Sequence, residues 1–191
     1  IFLIILVRYN NFYIDKTGID VLNDWLKNSE IFSLIFICLC FLFIVNGANL
    51  IDGYNGLLGF HSLIILINLF FVNYLNENSD LASFLFFIII TLIIFAWFNF
   101  PKAKIFLGDS GSYFLGALIA ISAIMTSAAN PYISPFYFCI LLFYLFFEVF
   151  FSFFRKLIKE KISPVKPDKS HLHMLLYKIL IKKNNNKLKS N

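Results

Sequence analysis

Three polar segments interrupt an otherwise apolar sequence, and each carries residue types that bind phosphate or a metal. In the first, residues 46–57, the polar side chains recur at every third position. On a helix this spacing places them along one slowly drifting stripe. Such a stripe at the end of an apolar helix is costly unless it faces water or a ligand. A helix cap with loop asparagines is the alternative, but a binding site better explains four residues in register: Asn46, Asn49, Asp52 and Asn55.

The second polar segment, residues 99–112, combines positive charge with a carboxylate flanked by glycines. Lys104 provides a mobile positive charge for phosphate oxygens. Asp109 stands between two glycines, just before the next apolar stretch. Mg²⁺ prefers hard oxygen ligands and shares them with phosphate groups. An ordinary helix cap would explain Asp109 alone, but the neighbouring lysine and glycines favour a metal site.

The third polar segment, residues 164–178, contains two histidines. His171 and His173 are two positions apart, so they share a face in an extended chain but not on a helix. They could contact a pyrophosphate, bind a metal or move a proton. The alternative is a solvated basic loop near anionic lipid headgroups. Glu148, inside a long apolar stretch, is a further candidate because ionisable residues within a membrane usually serve a function. The sequence does not identify its partner.

The elements that must position these segments are transmembrane helices. The chain is 60% hydrophobic and 14% charged, whereas soluble domains carry about 25% charged residues. We therefore predict an all-α, polytopic transmembrane helix bundle. A span needs about 20 apolar residues, and five segments qualify: Ile31–Leu50, Leu57–Leu75, Leu81–Phe98, Tyr113–Ala129 and Tyr132–Phe154. The apolar run Ile1–Val7 is too short to span and is interpreted as the end of a further helix, so we expect the sequence to be a fragment.

The distribution of Lys and Arg predicts the orientation of the bundle. Most of them lie in the three polar segments and after Phe154, whereas the opposite loops hold only Arg8, Lys16 and Lys27 among several acidic residues. The positive-inside rule makes the polar segments cytoplasmic, as in a multi-pass protein of the inner (plasma) membrane. Because the basic residues flank apolar runs, we expect membrane lipid and no nucleic acid as partner. Residues 1–177 form the predicted membrane domain, incomplete at its start, and residues 178–191 a basic, partly disordered tail.

Together, the three segments resemble the motifs of the polyprenyl-phosphate N-acetylhexosamine-1-phosphate transferases, which are glycosyltransferases of family 4. The first is similar to the family's Asn-x-x-Asn-x-x-Asp-Gly-x-Asp-Gly-Leu motif, the second to its Gly-Asp-x-Gly-Ser motif, and the third to its His-rich loop. This sequence departs from the family in three ways. Asn55 replaces the motif's second Asp and Met174 a third His. The family's Asp-Asp motif would precede Ile1, and a further membrane helix is expected after the His loop.

The resemblance implies phosphoryl transfer between two substrates. A sugar 1-phosphate would pass from a UDP-sugar to polyprenyl (undecaprenyl) phosphate, with Mg²⁺ as cofactor and UMP as product. Asp109 would bind Mg²⁺, Phe106 would stack on uracil, and Asn99 would belong to the same nucleoside pocket. Asp52 and Asn49 would line the nucleotide-sugar site, and the two histidines would face the diphosphate. The predicted catalytic residues are Asp52, Asp109, His171 and His173, and the predicted substrate-binding residues are Asn46, Asn49, Asn55, Asn99, Lys104 and Phe106.

Other readings remain open at this point. A transporter would explain five spans and an intramembrane Glu148, but it predicts polar residues throughout the spans, whereas here they collect on one side. The identity of the sugar is open, as is a homodimer. The choice between peptidoglycan and other surface polysaccharides is open as well, although the His loop looks closer to the second group.

Overall fold

The computed structural model describes residue 14, residues 16–160 and residues 171–189, and all regular structure within them is helical. Ser29 separates the first two helices, and its side chain accepts a hydrogen bond from the backbone N–H of Phe32, which caps the second. The helices are α1 Asp20–Asn28, α2 Glu30–Ile51, α3 Leu57–Leu75, α4 Ser79–Asn99, α5 Gly108–Ala129, α6 Pro135–Leu141, α7 Phe143–Phe154 and α8 Leu172–Lys189, with a π-helical turn at Arg155–Glu160 after α7.

Helices α2 to α5 confirm the transmembrane prediction. Among the described residues, these four are long and apolar enough to cross a membrane, and α6 with α7 makes a fifth span if the bent pair is counted as one. The partial span at residues 1–7 lies outside the described residues. Helix α5 starts at Gly108, five residues before the predicted start at Tyr113, since Leu107 already has helical backbone angles. Asp109 therefore lies in the first turn of α5, where a negative charge interacts favourably with the helix dipole.

The predicted fifth span is broken. Helix α6 ends at Leu141 and α7 begins at Phe143, and their axes differ by 65°. Pro135 occupies the first turn of α6, where its missing N–H costs little. No Gly or Pro stands at residues 140–144, so the sequence carries none of the usual marks of a break.

Helix α2 lies at the centre of the bundle and packs against α5 and α7, while α3 packs against α4 and α5. Their shared core consists of aliphatic side chains such as Ile51, Leu58 and Leu145. The richness of α5 in small residues predicts close packing, which dominates helix association in lipid. Gly116 confirms this, since a Cβ there would lie 2.8 Å from the Cβ of Ala48 on α2.

A group of polar side chains, of which Asn73, Thr126 and Asn130 are buried, joins α3 to the C-terminal end of α5. We call it the amide cluster: Asn73, Asn78, Thr126, Asn130 and Tyr132. Nδ2 of Asn73 donates to Oγ1 of Thr126 at 2.8 Å. Nδ2 of Asn130 donates to Oδ1 of Asn73 at 3.2 Å. The Oδ1 atom of Asn130 accepts from Asn78 and from the Tyr132 hydroxyl. The first two predicted polar segments, and the part of the third from His171 onward, lie at the other end of these helices, which we call the site end.

Helix α8 crosses the domain boundary predicted at residue 178, and the partial disorder of residues 178–191 stays a prediction. Several large apolar side chains on α8 are exposed, among them Leu176, Ile179 and Leu180. Arg8 and residues 161–170, which include the first part of the third polar segment, lie outside the described residues.

Candidate active site

A cleft of about 250 Å³ opens at the site end, between the α2–α3 turn and the start of α5. The α2–α3 turn connects two helices of the core, and the loop of residues 100–107 connects α4 to α5. The polar segments therefore meet because the helices that carry them reverse direction at this end. The cleft is lined by Asn49, Asp52, Gly53, Tyr54, Asn55, Asn99, Phe106, Leu107, Gly108 and Asp109.

Asp52 and Asp109 bring two carboxylates to the same cleft. Asp52 is the residue that ends α2, and Asp109 lies in the first turn of α5. Asn49 connects the two helices, because its Nδ2 donates to Oδ1 of Asp109 at 3.3 Å and to Oγ of Ser112 at 2.9 Å. Ser112 is buried, and its hydroxyl in turn donates to the backbone carbonyl of Asp109. The first and second polar segments thus form one site, as the sequence predicts.

The two carboxylates affect each other electrostatically. Burial raises the pKa of Asp52 above its ordinary value, and the negative charge of Asp109 raises it further. Both effects disfavour the ionised form of Asp52. A cation bound between them would offset the repulsion and restore the carboxylate.

Asn99 holds the cleft walls together through both ends of its amide. Its Oδ1 accepts from the backbone N–H of Gly56 at 2.6 Å, and its Nδ2 donates to the carbonyl of Ile105 at 2.8 Å. Gly56 has a φ of 81°, a left-handed conformation that favours glycine. Asn55 adds a weaker connection from its Nδ2 to the carbonyl of Pro101, at 3.3 Å. Asn99 therefore lines the cleft, but its polar atoms are engaged within the chain.

Phe106 stands at the edge of the cleft with 73% of its side chain exposed. An exposed aromatic ring beside a polar cleft is available to stack on a flat ligand. Of the described residues predicted to bind substrate, Asn46 and Lys104 lie outside the cleft lining. The Asn46 amide turns back to its own helix and donates to the carbonyl of Leu42 at 2.7 Å.

The two histidines of the third segment pack against Glu148 of α7. Nδ1 of His171 lies 3.2 Å from Oε2 of Glu148, and Nδ1 of His173 lies 3.7 Å from its Oε1. The imidazole rings are parallel, with an interplanar angle of 4° and a centroid separation of 5.7 Å. His171 immediately precedes α8 and His173 belongs to its first turn, so the spacing of two does not separate them. The partner of Glu148, which the sequence does not identify, is this pair.

His173 also brings the third segment to the first. Its Nε2 would lie 2.5 Å from a Cβ at Gly53, so only glycine leaves room for this approach. Tyr54 packs edge-on against the His173 ring at a centroid distance of 5.4 Å. Tyr54 lines the cleft as well, and the sequence analysis did not single it out. Its position inside the first motif was the one feature that could have pointed to it.

The donor set of the cleft fits Mg²⁺ bound together with phosphate. The described residues hold no cluster of three or more His, Cys, Asp or Glu side chains, as a site built wholly from protein ligands would require. Mg²⁺ usually keeps several waters and binds through one or two carboxylates plus substrate phosphates. Asp52 and Asp109 supply two carboxylates whose repulsion a cation would relieve, so the residues present suit a metal shared with a ligand.

Comparison with known proteins gives consistent similarities. The sequence profile of glycosyl transferase family 4 matches residues 1–127. The chain is 33% identical over 139 residues to the undecaprenyl-phosphate alpha-N-acetylglucosaminyl 1-phosphate transferase of Thermotoga maritima, which covers 73% of this chain and 41% of that protein. It is 39% identical over 98 residues to the phospho-N-acetylmuramoyl-pentapeptide-transferase of Dictyoglomus turgidum, covering 51% of this chain and 32% of that protein. The chain thus spans less than half the length of these relatives.

Proposed function

Since the chain belongs to glycosyl transferase family 4, we propose that it contributes the active-site end of an enzyme that joins a sugar phosphate to a lipid. The enzyme transfers an N-acetylhexosamine 1-phosphate from a UDP-sugar to undecaprenyl phosphate and releases UMP. It acts in cell-wall or surface polysaccharide synthesis, from the inner (plasma) membrane. The observation that carries this proposal is the meeting of Asp52 and Asp109 in a cleft at the membrane-edge end of an apolar helix bundle.

The position of the cleft suits two substrates of opposite solubility. A UDP-sugar arrives from water, and a polyprenyl phosphate keeps its chain in the bilayer. Only a site at the end of the spans can meet both. On the positive-inside rule this end is cytoplasmic, where nucleotide sugars are available.

Different residues of the cleft would bind different parts of the donor. Phe106 offers an exposed ring for the uracil, and base stacking on an aromatic side chain contributes about 1–3 kcal/mol. Hydrogen bonds to Asp109 and Ser112 hold Asn49 in place. Its side of the cleft would face the sugar phosphate. His171 and His173 face the diphosphate from the side of α7. Lys104, outside the cleft lining, adds positive charge on the α4–α5 loop.

Asp109 would hold Mg²⁺, with Asp52 beside it. When bound, the ion would neutralise charge on the diphosphate and on the departing UMP. The carboxylates orient the metal-bound donor, and the amide of Asn99 keeps the two walls of the cleft at a fixed separation. The rival proposal, a transporter, relied on an isolated intramembrane carboxylate, whereas Glu148 is bound to the histidines of the site.

Asp109→Asn in the intact protein tests the proposal. Asn retains the size and one carbonyl oxygen but removes the charge, so transfer from the UDP-sugar should fall by about 100-fold or more. A helix cap would respond differently, since Asn caps about as well as Asp. Transfer is measured as UMP release and as radiolabelled sugar in the lipid fraction.

Asp80→Asn is the matched control, because Asp80 lies in the first turn of α4 as Asp109 does in α5, but at the end of the bundle away from the cleft. This variant should keep its activity and its Mg²⁺ requirement. Near-normal turnover of Asp109→Asn at limiting Mg²⁺ would refute the metal assignment.

A further inference from the structure

Glu148 is fully buried, yet donor groups surround its carboxylate. Oε2 lies 3.2 Å from Nδ1 of His171, and Oε1 accepts the backbone N–H of Leu172 at 3.1 Å. Tyr144 lies one turn earlier on α7. A buried carboxylate without partners would cost several kcal/mol. Here both oxygens are occupied, so the carboxylate acts as a hydrogen-bond acceptor.

The contact with Nδ1 decides the protonation pattern of the His171 ring. An ionised carboxylate only accepts hydrogen bonds, so Nδ1 must carry the proton that lies between them. In the neutral imidazole one nitrogen is a donor and the other an acceptor. Nε2 is then the one atom of the His171 ring that can accept a proton or a hydrogen bond.

The second histidine lies beside the same carboxylate, 3.7 Å from it and without a hydrogen bond to it. The His173 ring is parallel to the His171 ring, with Nδ1 turned to Glu148 and Nε2 against Gly53. Gly53 follows Asp52 directly and lines the cleft. Glu148 therefore lies behind two rings, one of which reaches the lining of the cleft.

We propose that Glu148 is a positioning residue that fixes His171 in the tautomer protonated on Nδ1. This inference rests on the proposed function, because it assigns Glu148 to the histidines of that reaction. Glu148 touches no substrate. It acts by leaving Nε2 of His171 unprotonated, so that the ring can take the proton of the polyprenyl phosphate when that phosphate attacks the donor.

The tautomer is measured directly in the wild-type protein. With ¹⁵N-labelled histidine, the NMR shifts of Nδ1 and Nε2 distinguish a protonated from an unprotonated ring nitrogen, and a His171→Gln sample assigns the signal. We expect Nδ1 protonated and Nε2 unprotonated for His171. A ring protonated on Nε2 overturns the inference without any variant at Glu148.

Glu148→Gln tests the consequence in the intact enzyme. Its amide has one acceptor end, so it cannot serve both Nδ1 of His171 and the N–H of Leu172. We expect the tautomer to shift toward Nε2–H and kcat to fall by about 100-fold, as for loss of a proton-transfer group. KM for the UDP-sugar should stay within about twofold, because ground-state binding is retained.

Glu77→Gln, in the turn between α3 and α4, is the matched control and should change neither the tautomer nor kcat. If Glu148 only anchored α8 to the bundle, Glu148→Gln would lower thermal stability and raise KM while His171 kept its tautomer, and this outcome overturns the proposal. A wild-type protein with the expected tautomer but no sugar-phosphate transfer would instead refute the proposed function and leave the Glu148–His171 pairing standing.

Discussion

At the scale of single residues, the environment of Asp52 opposes its own charge. It is partly buried at the end of α2, and Asp109 lies close enough to repel it. A residue that destabilises its surroundings is usually retained for what it binds. The same repulsion makes the stability of the protein depend on pH and on divalent cations.

Asp52→Asn should remove a pH-dependent loss of stability. Because the pKa of Asp52 is raised in the folded protein, the folded state binds this proton more tightly than the unfolded state. The resulting stabilisation is fully present below the unfolded pKa of about 3.9 and is lost as pH rises through the raised folded pKa. Thermal unfolding in detergent with a chelator should therefore show the wild type losing stability relative to Asp52→Asn from about pH 4 upward.

Adding Mg²⁺ at neutral pH should raise the thermal stability of the wild type. The thermal stability of Asp52→Asn should rise by less. Parallel pH dependence of the two proteins would mean that Asp109 does not reach Asp52 electrostatically.

Much of the site could be predicted at this scale, because chemistry-bearing residue types at regular spacing are visible in a sequence. Asp52, Asp109 and Phe106 meet in one cleft as expected. The spacing of Asn46 suggested the same role, but its amide satisfies a carbonyl of its own helix. The partner of Glu148 could not be predicted, since pairing across 23 positions depends on how α8 returns to the bundle.

At the scale of elements, the positions of apolar residues predicted the lengths of the helices. They did not predict where a helix is interrupted. Apolar runs predicted α2 to α4 to within two residues, since a bilayer sets how many apolar residues a span needs. Helix α5 began earlier because Gly108 and Asp109 belong to its first turn. The break at Leu142 went unseen because neither Gly nor Pro marks it.

Asn73→Leu should weaken the bundle at the amide cluster. Leu has a similar size but leaves Thr126 and Asn130 without their shared partner, at a cost of about 1–2 kcal/mol. The free energy of unfolding in mixed micelles measures the loss. Transfer activity of the folded fraction should remain, because the cluster lies at the opposite end from the cleft. Asn68→Leu is the control, since the exposed amide of Asn68 donates to the carbonyl of Ile64 on its own helix. If Asn68→Leu lowered the free energy of unfolding as much as Asn73→Leu, the cluster would add nothing to stability.

At the scale of the whole molecule, the alternation of the helices brings the first two polar segments, and the described part of the third, to one end of the bundle. Spans α2 to α5 reverse direction at each turn, and the α2–α3 and α4–α5 connections both reach the cleft. Lys and Arg collect on this side in the sequence. The side of the membrane that this end faces stays a prediction.

Cysteine labelling tests this arrangement. In a background with Cys38, Cys40 and Cys139 replaced, single cysteines at Asp52, Asp109 and His171 should resist an impermeant reagent added outside intact cells. Cysteines at Asn78 and Tyr132 should react with it. Labelling from outside at any of the first three positions would contradict the predicted orientation.

The amide cluster and the cleft hold opposite ends of the same helices with unequal strength. At the cluster, the hydrogen bonds that join Asn73 to Thr126 and to Asn130 are buried. At the site end, the bonds that Asn49 and Asn55 make to other segments are partly exposed to water. We therefore expect local opening to begin at the site end, where the buried bond between Gly56 and Asn99 opposes it. A donor and metal that bridge α2 and α5 would close it, so that substrate capture and the last step of folding become one equilibrium.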